Sequence, residues 1–141
     1  MIMIFTVSLS GCSTKVNVKT ERVKEYKQDI QELSDDIKKV NVYFLRPNLF
    51  CQIITSEEPS DGLMQAILLQ TKEFVTVENM SEVSNNVKWK SEISTVHLSI
   101  RTDDNEESEH KYFARYFKTF DASNKSDENV EAYQFWYEEG K

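Results

Sequence analysis

Apolar residues recur at helical spacing in two stretches of the chain. In the first stretch they are separated by 3, 4, 3, 4 and 3 positions, with polar residues between them: Val23, Tyr26, Ile30, Leu33, Ile37 and Val40. This period predicts an amphipathic helix over about residues 22–39. In the second stretch, Ser60 or Asp61 can cap a helix that continues over residues 60–75.

Other stretches have the composition or the alternation of β-strands. Residues 41–46 and 49–55 flank Pro47-Asn48, which is typical of a turn, so they predict a hairpin or one long strand kinked at Pro47. Residues 94–101 alternate between apolar and polar side chains. For residues 111–120 we favour a strand over a helix, because aromatic residues suit sheets. Residues 130–137 are either a strand, which we favour, or a short helix. Residues 78–90 are expected to be a loop or a frayed segment.

Together these elements predict an α+β fold. A small antiparallel sheet of four or five strands is expected to pack on one face against the two helices. The chain of 141 residues is long enough for one domain with a modest core, which we place at residues 23–141.

Composition and charge exclude several classes of protein. The chain has 17 basic and 24 acidic residues and a formal net charge of −7, whereas nucleic-acid backbones bind clustered Lys and Arg, so nucleic acid is not expected as a partner. An aromatic content of 11% is too high for a disordered chain. No apolar run approaches the roughly 20 residues of a membrane-spanning helix.

The N-terminus carries a separate signal. Residues 1–12 are uncharged and end in small residues, which is typical of the core of a signal peptide. The ending Leu9-Ser10-Gly11-Cys12 resembles the lipobox of bacterial lipoproteins. This resemblance implies cleavage between Gly11 and Cys12 and a diacylglycerol on the sulfur of Cys12. The domain would then be lipid-anchored at the extracytoplasmic face of the cell membrane.

The resemblance also sets the expected boundaries. Residues 1–11 would be the signal peptide, and its start would lie upstream, because no Lys or Arg precedes the apolar run. Residues 12–22 would be the lipidated cysteine and a polar tether. The Lys-, Glu-, Asn- and Ile-rich composition is similar to that of small lipoproteins of Gram-positive bacteria, although Ser13 after the cysteine does not settle the envelope type.

Few residues are candidates for chemistry. Cys51 lies in an apolar run and is expected to be a buried, inert thiol, with a Cys12–Cys51 disulfide as the alternative. His97 and His110 could face each other across a hairpin and bind zinc with nearby carboxylates, but two solvated histidines are favoured. We expect no metal, no cofactor and no enzymatic activity.

The aromatic residues of the C-terminal third are the candidate binding residues. Consecutive rings on a strand cannot all enter one core, so some are expected to face outward, where Tyr and Trp favour recognition; the alternative is that they fill a small core. The candidates are Tyr112, Tyr116, Tyr133, Trp136 and Tyr137.

The sequence therefore predicts a membrane-anchored, non-enzymatic binding module of the cell envelope. Its partners would be membrane lipid, through acylated Cys12, and a protein, peptide or envelope polymer. The alternatives are a structural or accessory lipoprotein that self-associates through the helix over residues 23–40, and an envelope-polymer hydrolase.

Overall fold

The computed structural model describes residues 14–102, 105–119 and 121–140, with the backbone alone for residues 105–108. The expected signal peptide and Cys12 lie outside these residues. The described residues form three helices and six strands: β1 (Val16–Asn17), α1 (Glu21–Gln31), β2 (Ile37–Leu45), β3 (Asn48–Thr55), α2 (Asp61–Phe74), α3 (Val77–Asn86), β4 (Thr95–Thr102), β5 (Asn105–Arg115) and β6 (Tyr137–Glu138). The α+β class is confirmed.

The strands form one mixed sheet in the order β1-β2-β3-β4-β5-β6. β3 and β4 pair in parallel, from Leu49 opposite Val96 to Thr55 opposite Thr102, and the other neighbours are antiparallel. The prediction of an antiparallel sheet with four or five strands is therefore wrong in both respects. The segment that contains α2 and α3 provides the long crossover that parallel neighbours need.

The first predicted helix is wrong beyond residue 31. α1 ends at Gln31, and Ile37 and Val40 lie on β2, where a register irregularity between Ile37 and Lys39 interrupts the pairing with β3. An extra residue in a strand puts two inward-facing side chains three positions apart, which is also a helical spacing. The bulge therefore gives Ile37 and Val40 on β2 the same spacing as the apolar residues of α1, although the helix ends at Gln31.

The second predicted helix is confirmed and a third was missed. α2 begins after Ser60, whose hydroxyl accepts a hydrogen bond from the Leu63 N–H at 3.2 Å. α3 occupies part of the expected loop and is capped by Thr76, whose hydroxyl accepts from the Asn79 N–H at 3.1 Å. Its short run of Asn and Ser residues between apolar positions concealed the helical pattern.

The two ends of the sheet also differ from expectation. Val16 and Asn17 pair with Phe44 and Tyr43, and Val18 is buried, so part of the expected tether over residues 12–22 belongs to the domain. At the other end, residues 130–137 were predicted as a strand, but only the last of them belongs to β6. Ala132 and Tyr133 have φ angles of 47° and 63°, which no extended strand adopts.

The core lies between the helices and one face of the sheet. Fully buried side chains alternate along the central strands: Leu49, Cys51 and Ile53 on β3, and Val96, Leu98 and Ile100 on β4. Tyr26 of α1 stacks on Phe74 of α2 with ring centroids 4.4 Å apart. None of the helices within the described ranges is both long enough and apolar enough to cross a bilayer.

Candidate binding face

The opposite face of the sheet carries a row of rings. We call this side, which points away from the helices, the open face. Strand pairing brings Tyr43, Phe50, His97, Phe113 and Tyr137 into register as successive neighbours on β2 to β6. Each of these side chains is partly exposed. This ring row crosses five of the six strands.

The row consists of two stacks. In the first, Tyr43 lies 5.1 Å from Phe50, and Phe50 lies 4.7 Å from His97, with ring planes 8° and 11° apart. In the second, Phe113 lies 5.1 Å from Tyr137. These centroid distances match the strand spacing of about 4.8 Å, so the rings stand with their faces toward each other and their edges toward solvent. Among the described residues, His97 and Phe113 make no ring contact, although they are cross-strand partners.

A cation covers one ring at each end of the row. The Lys15 ammonium lies 3.9 Å from the centre of the Tyr43 ring, and the Arg115 guanidinium carbon lies 5.0 Å from the centre of the Tyr137 ring. Both distances are typical of cation–π contacts, which add to the rigidity of the stacks.

Two cavities of about 350 and 330 Å³ adjoin the break in the row. His97 and Glu139 line both of them. The larger cavity is lined further by Phe113, Phe117 and Lys118, and the smaller one by polar side chains that include Gln52, Ser99 and Lys111. Apolar walls with a few convergent polar groups are typical of ligand sites.

His97 is suited to hydrogen bonding rather than to carrying charge. Burial lowers the pKa of its imidazole below the usual value of 6.5, the carboxylate of Glu139 opposes this shift, and the Lys111 ammonium adds to it. The ring is therefore neutral at neutral pH and offers one donor and one acceptor nitrogen.

A buried carboxylate fixes the C-terminal end of the row. Glu131 accepts hydrogen bonds from Arg115 Nε at 3.1 Å, from Arg115 Nη2 at 3.3 Å and from the Tyr137 hydroxyl at 2.8 Å. The Tyr133 hydroxyl, which donates to the carbonyl of Ile93 at 2.6 Å, holds the preceding turn. An irregular segment is thereby held firmly enough to place Tyr137 against Phe113.

The sequence-predicted binding residues lie in three different environments. Tyr112 and Tyr133 are buried, and Tyr116 and Trp136 are partly buried against the core. Only Tyr137 belongs to the ring row. Sequence reasoning missed four members of the row: Tyr43, Phe50, His97 and Phe113. Alternation along the predicted hairpin and strands was the signal for them, but it does not say which side the helices cover.

The structure separates the other candidate groups. His110 pairs with Ile100 rather than with His97, and its Nε2 contacts a carboxylate oxygen of Glu58. Within the described part of the chain, no cluster of three or more His, Cys, Asp or Glu residues could hold a metal ion. Cys51 is fully buried as expected, and burial raises the pKa of its thiol to about 12. The alternative disulfide involves Cys12, which lies outside the described residues.

Comparisons with protein-family models, with curated proteins and with solved structures find no match for this chain.

Replacing Glu131 with Gln should destabilise the protein in a pH-dependent way. Burial opposes ionisation of Glu131, but the bonds from Arg115 and Tyr137 outweigh it and lower the pKa. The stability gained from the carboxylate is therefore present above the unfolded pKa of about 4.3 and is lost as the pH falls through the folded pKa. In urea unfolding, we expect Glu131→Gln to cost about 2 kcal/mol at neutral pH and the difference to narrow below about pH 4.

Glu128→Gln is the matched control, because Glu128 is exposed. It should leave the unfolding free energy within about 0.5 kcal/mol of the wild type. A cost of Glu131→Gln that stays constant from neutral to acid pH would contradict the role of the ionised carboxylate.

Proposed function

We propose that the chain is a lipid-anchored, non-enzymatic binding module of a bacterial cell envelope, and that its open face binds a protein, peptide or envelope polymer. The observation that carries this proposal is the ring row on the uncovered side of the sheet. Partly exposed aromatic rings lie in register across five strands, and grouped apolar residues that are rich in aromatic rings are typical of interaction sites.

The rigidity of this surface supports binding. Each ring of the row lies on a strand and stacks on at least one neighbour, so little side-chain freedom is left to lose when a ligand binds. Polar groups lie beside the rings: the Asn41 amide donates to the Gln52 carbonyl oxygen at 3.2 Å, next to Tyr43 and Phe50. The open face therefore combines apolar contact with hydrogen-bonding groups.

The charges beside the row favour a ligand that is not strongly anionic. Glu139 lines both cavities, Arg115 and Lys118 line the larger one, and Glu109 and Lys111 line the smaller one. A site that mixes both signs fits a peptide or an uncharged polymer, because a polyanion would meet the carboxylate at the break in the row.

The lipobox-like ending at Cys12 supports the anchor. Val16, the first residue of β1, follows Cys12 by four positions, a separation of at most about 14 Å between the Cα atoms. A diacylglycerol on Cys12 would hold the sheet close to the membrane surface.

The two alternatives have less support. The apolar stripe of α1 is occupied within this chain, because Val23, Tyr26 and Ile30 are buried, and the helix ends before residue 37. Self-association through a helix over residues 23–40 therefore lacks its surface. A hydrolase would need converging catalytic groups, whereas His97 and His110 lie apart and the Cys51 thiol is inaccessible.

Lipid labelling tests the anchor. In bacteria that export the chain through a lipoprotein signal sequence and are fed a labelled fatty acid, the wild type should incorporate label and Cys12→Ala should not, because the thioether needs the Cys12 sulfur. Labelled protein is measured by gel fluorography. Cys51→Ala is the matched control and should label like the wild type. Equal labelling of wild type and Cys12→Ala would refute the anchor.

Substitution of the rings tests the open face. The Cys12→Ala chain, which has no lipid, is sedimented with a bacterial envelope fraction from which lipid has been extracted, and separately with peptidoglycan freed of protein. We expect Tyr43→Gln, Phe50→Gln and Phe113→Gln together to lower the sedimented fraction at least about tenfold, since truncated anchor residues of an interface cost about 2 kcal/mol or more each.

Three apolar residues exposed elsewhere provide the control. Leu69→Gln, Val77→Gln and Phe135→Gln together remove three exposed apolar side chains that do not belong to the ring row, and they should leave sedimentation unchanged. Circular dichroism checks that each variant is folded, and the single substitutions replace the triple one if it is not. Sedimentation of the folded ring variants at the level of the wild type would contradict the proposal.

A further inference from the structure

A groove of about 670 Å³ runs along the β1 edge of the sheet, between α1 and β2. Its lining includes the lysines at positions 19, 24, 27 and 39, and Glu21 is the acidic residue among the lining residues. We call it the lysine groove. It shares no lining residue with the two cavities of the open face, and it meets that face at Asn41, whose amide donates to Gln52.

Most charges of α1 are divided by sign between two sides of the helix. Lys24 and Lys27 line the lysine groove together with Glu21, whereas Glu25 and Asp29 line a separate cavity beside α2 together with Arg22. Residues three or four positions apart share a side of a helix, so this separation follows directly from the order of charges in the sequence.

The lysines of the groove are available to a ligand. The salt bridges of the described residues are formed by other groups, such as Arg22 with Glu25 and Arg115 with Glu131, and the four groove lysines take part in none of them. Although the whole chain has a net charge of −7, charges are screened over about 8 Å at physiological salt. Four lysines beside one glutamate therefore make this edge locally positive.

The position of the groove indicates what it binds. Val18 and Lys19, which directly follow β1, belong to its lining, and β1 begins four residues after Cys12. With acyl chains on Cys12, this edge is the part of the domain nearest to the lipid headgroups. We propose that the lysine groove binds the anionic phosphate headgroups of the membrane leaflet that holds the anchor. The orientation rests on the proposed anchor at Cys12.

Lysine chemistry fits such headgroups. Its ammonium is a compact charge on a flexible stem, which suits the mobile phosphates of a bilayer surface better than a fixed two-point contact would. Lysines near an anionic leaflet add to the binding provided by acyl chains. Contact through the groove would orient the domain at the membrane and leave the two cavities beside His97, which share no lining residue with the groove, accessible to a ligand.

Vesicle binding by the full-length Cys12→Ala chain tests this proposal without any contribution from attached lipid. The probes are vesicles of phosphatidylcholine alone and of phosphatidylcholine mixed with phosphatidylglycerol. We expect binding to be stronger with phosphatidylglycerol and to weaken with added salt. Replacing lysines 19, 24, 27 and 39 together by Gln should lower the partition coefficient on the anionic vesicles at least about tenfold.

The matched control removes the same charge elsewhere. This variant replaces four exposed lysines by Gln: Lys72, Lys88, Lys90 and Lys125. The partition coefficient should change by less than about threefold, because these residues do not line the groove. An equal loss in both quadruple variants would overturn the proposal, since it would show a response to net charge alone. Equal binding of the wild type to both kinds of vesicle would also overturn it.

A soluble polyanion distinguishes the membrane from a free ligand. If inorganic polyphosphate displaces the protein from anionic vesicles only at phosphate concentrations above that of the lipid headgroups, the membrane assignment holds; displacement well below it would show a site for soluble polyphosphate instead. If the wild type and Cys12→Ala label equally with fatty acid, but the protein still prefers vesicles with phosphatidylglycerol, the anchor alone is refuted. The groove then remains a site for anionic headgroups.

Discussion

The pleat of the sheet is the constraint on which the rest of this structure depends. Side chains alternate between the two faces of every strand. The alternation that places Leu49, Ile53 and Leu98 under the helices therefore places their neighbours along the strand on the other face. Within the described ranges, α1, α2 and α3 cover only one face. The ring row is the consequence of building a one-sided core from strands that also carry aromatic residues.

The register of the strands then brings the separate rings together as one surface. Tyr43 and Phe50 become neighbours through the β2–β3 hairpin, but Phe50 and His97 meet through the parallel pairing of β3 and β4, across a crossover that contains two helices. Tyr137 joins the row last, through a two-residue strand that the Glu131 carboxylate helps to hold. The surface thus combines local and long-range contacts, and its C-terminal end depends on one partly buried ion pair, Arg115 with Glu131.

The sequence predicts the elements that depend on interactions between nearby residues, and it does not predict those that depend on contacts between distant parts of the chain. α2 and the β2–β3 hairpin were predicted because caps, turns and periods are local signals. α1 was extended too far because a bulge in β2 imitates helical spacing. The parallel pairing and the two-residue edge strands have no local signal. For the candidate site, sequence predicted outward rings but named only Tyr137 among those of the row, because alternation does not show which face the helices cover.

Oxidative footprinting of the bound protein shows which surface a ligand covers, and so tests whether the open face is the proposed binding surface. Hydroxyl radicals modify exposed aromatic and aliphatic side chains, and mass spectrometry measures the rate at each residue for the Cys12→Ala chain, free and bound to an insoluble envelope fraction from which lipid has been extracted. The account predicts slower oxidation of Tyr43, Phe50 and Phe113 in the bound protein, with unchanged rates at Leu69 and Phe135. Protection at Leu69 or Phe135, with the ring row as reactive as in the free protein, would contradict it.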